Sequence, residues 1–113
     1  MGFFRTAKDR LIESTAPAVL NETLMRPYGR ITSLKIDSLE KTLRLEALLR
    51  GEKESICVDV LAYEIVQRNG QTSFIAKKIK TSRAWITTLA EQELIDRPIP
   101  IPEQLSGWVK RLL

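Results

Sequence analysis

Apolar and polar side chains alternate most cleanly between residues 42 and 50. Leu43, Leu45, Ala47 and Leu49 fall on one parity and Arg44, Glu46 and Arg50 on the other, with Leu48 the exception. A period of two belongs to a strand in a sheet with one wet face. Leu, Glu and Arg favour helix individually, but the period decides for strand. Residues 30–38 alternate in the same way, Leu34 and Ile36 against Lys35 and Asp37, and a turn follows at 39–41. Beyond the charged turn Gly51-Glu52-Lys53-Glu54, a long strand is predicted over residues 55–67. Its phase shifts part-way. Ile56, Val58 and Val60 share one face, and Leu61, Tyr63 and Ile65 share the other. That pattern predicts either a bulge near Val60-Leu61 or a strand covered on both faces. Asn69-Gly70 then supplies the two positive-φ positions of a type I′ hairpin turn. Counting outward from it sets Arg68 opposite Gln71, Ile65 opposite Phe74, Tyr63 opposite Ala76, Val60 opposite Ile79 and Asp59 opposite Lys80. Apolar residues mostly face apolar ones in this register, which supports the hairpin.

The flanks of this central region read as helix. In residues 2–25, Phe4, Ala7, Leu11 and Thr15 recur at helical spacing, widened by Phe3 and Ile12, while Arg5, Lys8, Asp9 and Glu13 fill much of the remainder. This is an amphipathic pattern. Pro17 interrupts it, which predicts a kinked helix or two helices meeting at residues 14–17, with Ser14 or Thr15 capping the second. Pro27 and Gly29 close the segment. A further helix is predicted from a Thr81 or Ser82 cap to about Asp96, with Trp85, Ile86, Leu89, Ala90 and Leu94 along one side. The run Pro98-Ile99-Pro100-Ile101-Pro102 should be extended, close to polyproline II, its isoleucines packed on the core. Residues 103–113 return to helical spacing, with Leu105, Trp108, Val109 and Leu112 on one face.

These elements predict one α+β domain over residues 1–113: helical over 1–28, an antiparallel sheet of about four strands over 30–80, and helical over 81–113 with the proline-rich connector at 98–102. An N-terminal amphipathic helix and two C-terminal helices are expected to pack on the sheet, because a sheet with an apolar face must be covered. The order of elements resembles cystatin-like and other helix-grips-sheet domains in fold, a likeness that implies no activity.

Composition narrows the function classes. The chain has 113 residues, 43% hydrophobic and 28% charged, as an ordinary globular domain has. No stretch reaches the roughly 18 apolar residues of a membrane-spanning helix. Phe3 and Phe4 are followed at once by charged residues, so no secretory leader develops. A full-length chain of this kind is expected in the cytoplasm. There is no His and one Cys. Structural zinc, which takes four Cys or His ligands, and most neutral-pH acid–base catalysis therefore lose their usual residues. No catalytic, metal or cofactor site is expected. Asp59 and Glu64, both on the long strand, are the candidates for a tuned carboxylate. Cys57, without a partner for a disulfide, reads as a small apolar strand residue.

The net charge is +4, of which residues 30–80 carry +3, ten basic against seven acidic. This argues against a dedicated nucleic-acid binder, whose basic patches are denser. The densest basic segment holds Lys77, Lys78, Lys80 and Arg83, with Ser82 among them, where a strand passes into a helix. It is a candidate contact for a phosphate or lipid headgroup; as plain structure, it is a lysine-guarded strand edge. The first six residues also fit the letter pattern for N-myristoylation, a short and frequent pattern.

Excess apolar surface is the remaining signal. Phe3, Phe4, Leu61, Tyr63, Trp85 and Trp108 are the candidate contacts for a hydrophobic ligand or an interface, although Trp85 also fits the core. The reading that follows is a small non-catalytic binding module for a lipid-like hydrophobic small molecule or a membrane surface. The alternative is a homo-oligomeric or assembly protein with a protein partner, and a weaker one is nucleic-acid contact through residues 77–83.

Overall fold

The computed structural model describes residues 7–110, with side chains from 9 to 107. The elements follow as α1 (Ala7–Glu22), β1 (Gly29–Asp37), β2 (Thr42–Leu49), β3 (Ile56–Arg68), β4 (Gln71–Thr81), α2 (Ala84–Glu93), β5 (Ile99–Pro100) and α3 (Glu103–Lys110). The strands form an antiparallel meander in chain order, β1-β2-β3-β4-β5. The α+β class is as the hydropathy pattern predicts. The fifth strand is new: Ile99 pairs with Phe74 and Pro100 with Ser73, so part of the proline run joins the sheet.

The inner face follows from the parity of the strands. Ile36, Leu43, Val60 and Ile79 form one cross-strand row, and Leu34, Leu45, Val58 and Thr81 the next. Ile12 and Ala16 of α1, Ala90 of α2 and Leu105 of α3 share one buried cluster with these rows. The helices therefore cover a single face.

The phase shift in β3 is resolved as a bulge. The ladder is irregular at Ala62, which lies opposite Lys78, and regular again on both sides. Leu61-Ala62 on β3 and Lys77-Lys78 on β4 sit between inward positions, so both strands shift together. The register predicted from the Asn69-Gly70 turn holds at all five pairs, and both turn residues have positive φ, 52° and 79°. Because of the bulge, Tyr63 and Ile65 return to the inner face. Tyr63 is 3% exposed and stacks at a tilt on Phe74, ring centroids 5.1 Å apart.

α1 is a single helix with Pro17 inside it, rather than two helices meeting there. Ser14 and Thr15 cap no second helix; both hydroxyls donate to the Leu11 carbonyl one turn back. The helix is also rotated from the predicted stripe. Leu11 is exposed, while Asp9, Ile12 and Ala16 are buried. The cause lies in β1, an edge strand. Asn21 Oδ1 accepts the Ile31 N–H (2.6 Å) and its Nδ2 donates to the Ile31 carbonyl (3.1 Å). Glu13 Oε2 accepts the Ile36 N–H (2.8 Å) and Asp9 Oδ2 the Ser38 N–H (3.2 Å). The helix thus turns polar side chains inward to satisfy the edge backbone, which would otherwise invite pairing with another chain.

The opposite edge is closed by chemistry. Pro98, Pro100 and Pro102 lack the N–H that a further strand would need, and Ile101 donates its own N–H to the Thr72 carbonyl (2.9 Å). No helix among the described residues is long and apolar enough to cross a membrane.

Candidate interaction surface

α2 begins where β4 ends, through a threonine network. Thr87 Oγ1 accepts the Thr81 N–H (2.9 Å), and Thr81 Oγ1 accepts the Arg83 N–H (3.2 Å). Arg83 is the N-cap and makes no side-chain cap, so neither Thr81 nor Ser82 is the cap, contrary to the sequence expectation. The Ser82 hydroxyl instead accepts the Cys57 N–H (3.0 Å) and its N–H donates to the Cys57 carbonyl (2.9 Å), which prolongs the β3–β4 ladder.

The apolar residues of α2 do not share one side. Ala90 is buried and Ile86 half-buried against the sheet. Trp85 is 58% exposed, Leu89 50% and Leu94 40%. Trp85 and Leu89 are one turn apart, and Thr88 and Gln92 on the same flank are exposed too. Helical periodicity cannot separate these faces, because Trp85-Ile86 and Leu89-Ala90 are adjacent apolar pairs astride the boundary. Arg83 and the exposed Lys80 precede Trp85 in the chain, and the exposed Glu91 and Glu93 follow Leu89.

The basic segment is partly neutralised. Lys77 Nζ donates to Asp96 Oδ1 (2.8 Å) and lies 3.9 Å from Glu64. Its pKa is raised, chiefly by the bond to Asp96. Arg83 faces Glu52 at 3.8 Å. Ser82 is committed to the ladder. Lys78 and Lys80 are exposed. Lys77, Ser82 and Arg83 thus enter three different local contacts.

The outer face of the sheet carries Arg44, Cys57, Asp59, Leu61 and Glu64. Arg44 Nε lies 3.1 Å from both Cys57 Sγ and Asp59 Oδ1, and its pKa is raised by the Cys57 hydrogen bond first and the Asp59 charge second. Leu61 is 43% exposed there. Glu64 is exposed beside Lys77, and Asp59 is held by Arg44. Tyr63, expected at a contact surface, is instead a core residue for the reason given by the bulge. Burial, with the Asp9 and Asp37 charges adding to it, pushes its pKa up to about 12. Phe3 and Phe4 lie outside the described residues, as does the Trp108 side chain. Among the described residues, no cluster of three or more His, Cys, Asp or Glu could hold a metal ion.

Comparison with protein-family models, with curated proteins and with solved structures finds no match to this chain.

Proposed function

We propose that this chain is a non-catalytic protein-interaction module that self-associates through the exposed flank of α2. The observation that carries this reading is Trp85, exposed by 58% and followed one turn later by Leu89, exposed by 50%. Tryptophan is the residue most enriched at the centres of protein interfaces. The inner face of the sheet is packed against α1, α2 and α3, and on α2 the exposed Trp85 and Leu89 lie one turn apart, whereas Tyr28, Leu39 and Leu61 are exposed at separate places on loops and the outer sheet face. Both sheet edges are occupied, which favours side-chain contact over strand addition.

Charge selects a second copy of the chain as the partner. Arg83, the N-cap of α2, and Lys80 on β4 precede the Trp85–Leu89 turn in the chain, and the exposed Glu91 and Glu93 follow it in the last turn of the helix. Two α2 helices crossing antiparallel about a twofold axis bring each basic end against an acidic one. The same glutamates weigh against an anionic membrane surface. A helix of ten residues spans about 15 Å, so the contact is small and the affinity expected in the micromolar range.

Sedimentation velocity over a series from low micromolar to near-millimolar protein tests this, with native mass spectrometry for stoichiometry. A reversible dimer is expected, and Trp85→Asp should give monomer. That variant should stay folded, since a carboxylate in the first turn of a helix is favourable. A monomer at every concentration, or a dimer indifferent to Trp85→Asp, defeats the proposal. So does a retained acyl chain in the native spectrum, which would restore the lipid-like ligand.

A further inference from the structure

We propose that the hollow at the open end of the β1–β2 pair binds the phosphoryl group of a small phosphate ester. The hollow has a volume of about 400 Å³ and is lined by Arg26, Arg30 and Arg50, with Leu48 and Leu49. It is shallow and mostly open to solvent, a surface on which a small anion can rest rather than a cavity that encloses one. Arg26 and Arg30 lie four residues apart, and the β1–β2 pairing brings Arg50 beside them. Gly29 pairs with Leu49 and Arg30 with Leu48 at the start of the ladder. The Arg50 N–H donates to the Tyr28 carbonyl (2.8 Å), and Arg50 Nη2 to the Arg26 carbonyl (3.1 Å). One guanidinium is thereby held in place with donors to spare.

The electrostatics favour a multiply charged anion. Three arginines contribute to the lining, and none of them makes an ion pair among the described residues. Glu52, the one carboxylate in the lining, faces Arg83 at 3.8 Å. A phosphoryl dianion offsets the like charge of neighbouring arginines while accepting paired N–H bonds from guanidinium forks. Leu48 and Leu49 give the carbon part of an ester an apolar wall. The Lys77–Arg83 segment, by contrast, is partly neutralised.

The test is a titration of the full chain, followed by two-dimensional amide NMR, with inorganic phosphate and with phenyl phosphate. Saturable shifts at Gly29, Arg30, Gly51 and Glu52 are expected from both, with phenyl phosphate the tighter. Arg30 is exposed and makes no hydrogen bond through its side chain among the described residues, so Arg30→Gln should fold normally. It should weaken both ligands about tenfold or more, and Arg26→Gln should do likewise. The double variant Lys78→Gln/Lys80→Gln should leave both affinities unchanged. Absence of saturable shifts at those amides overturns the proposal, as does equal weakening by the lysine variant, which would signify diffuse attraction to the basic chain. Phosphatidic acid vesicles that displace phenyl phosphate at these amides would make the ligand a lipid headgroup and overturn the small-ester assignment.

Discussion

Tyr63 turns its ring into the core at 3% exposure, against Phe74. Its parity with Leu61 places both on the outer face of β3, and that parity breaks at the bulge between them. One inserted residue reverses every side chain beyond it, so the phase shift was legible but its consequence for Tyr63 was not. The hydroxyl is now buried, with no hydrogen-bond partner among the described residues. Its pKa, raised from 10.0 to about 12, makes stability depend on alkaline pH. Below pH 10 both states hold the proton and the contribution is whole. As pH rises from 10 towards 12 the unfolded chain releases the proton that the folded chain retains, and stability falls. The expected loss is about 2–3 kcal/mol once both forms are ionised. Denaturant unfolding at pH 8 and at pH 12 measures it, and Tyr63→Phe should reduce the difference by that amount. At pH 8 the same variant should be neutral or slightly stabilising, because it removes an unsatisfied buried hydroxyl. Gly29 is a second residue whose role appears only in three dimensions. A Cβ there would lie 2.2 Å from the Leu48 carbonyl oxygen, on a backbone with φ of +148°. Gly29→Ala should destabilise by at least about 1–3 kcal/mol from backbone strain alone, read as a lowered urea midpoint with an unchanged slope.

Among the elements, the β3–β4 hairpin was the most legible. The Asn69-Gly70 turn and the facing apolar pairs fix a register, and two coordinated shifts leave it intact on both sides of the bulge. α1 was less so. Its spacing predicts a stripe of Phe4, Ala7, Leu11 and Thr15 widened by Phe3 and Ile12; the helix buries Ile12 with Asp9 and Ala16, and exposes Leu11 and Thr15. Hydropathy assigns carboxylates to solvent by default, and no local signal announces that Asp9, Glu13 and Asn21 will meet the backbone of an edge strand. That role makes a prediction at the scale of the helix. Asn21→Ala removes two hydrogen bonds to Ile31 and leaves both backbone groups without them. It should cost about 1–3 kcal/mol for the unsatisfied groups, whereas Leu11→Ala, on the exposed flank, should cost much less. Thermal unfolding of the two variants compares them, and equal effects would show that the helix docks by its apolar residues alone. The proline run shows a third case. Its extended form was legible, but strand pairing depended on a neighbour, since two residues of β5 meet β4 only after α2 has turned the chain back along that edge.

The whole molecule presents a sheet with one face packed and both edges closed, by polar side chains on the β1 side and by prolines beyond β4. Two side-chain surfaces among the described residues carry the proposed contacts: the Trp85–Leu89 flank of α2 and the arginine hollow beside β1 and β2. Neither was visible as a unit in the sequence. Leu89 is assigned to the core by its spacing, and Arg50 joins Arg26 and Arg30 only through the pairing of Gly29 with Leu49. Residue-resolved amide hydrogen exchange, at low and high protein concentration, tests this account most directly. It predicts slow exchange at Ile31, Ile36 and Ser38 at both concentrations, and slower exchange in residues 84–93 as concentration rises. Rapid exchange at those three amides, or an α2 indifferent to concentration, would contradict it.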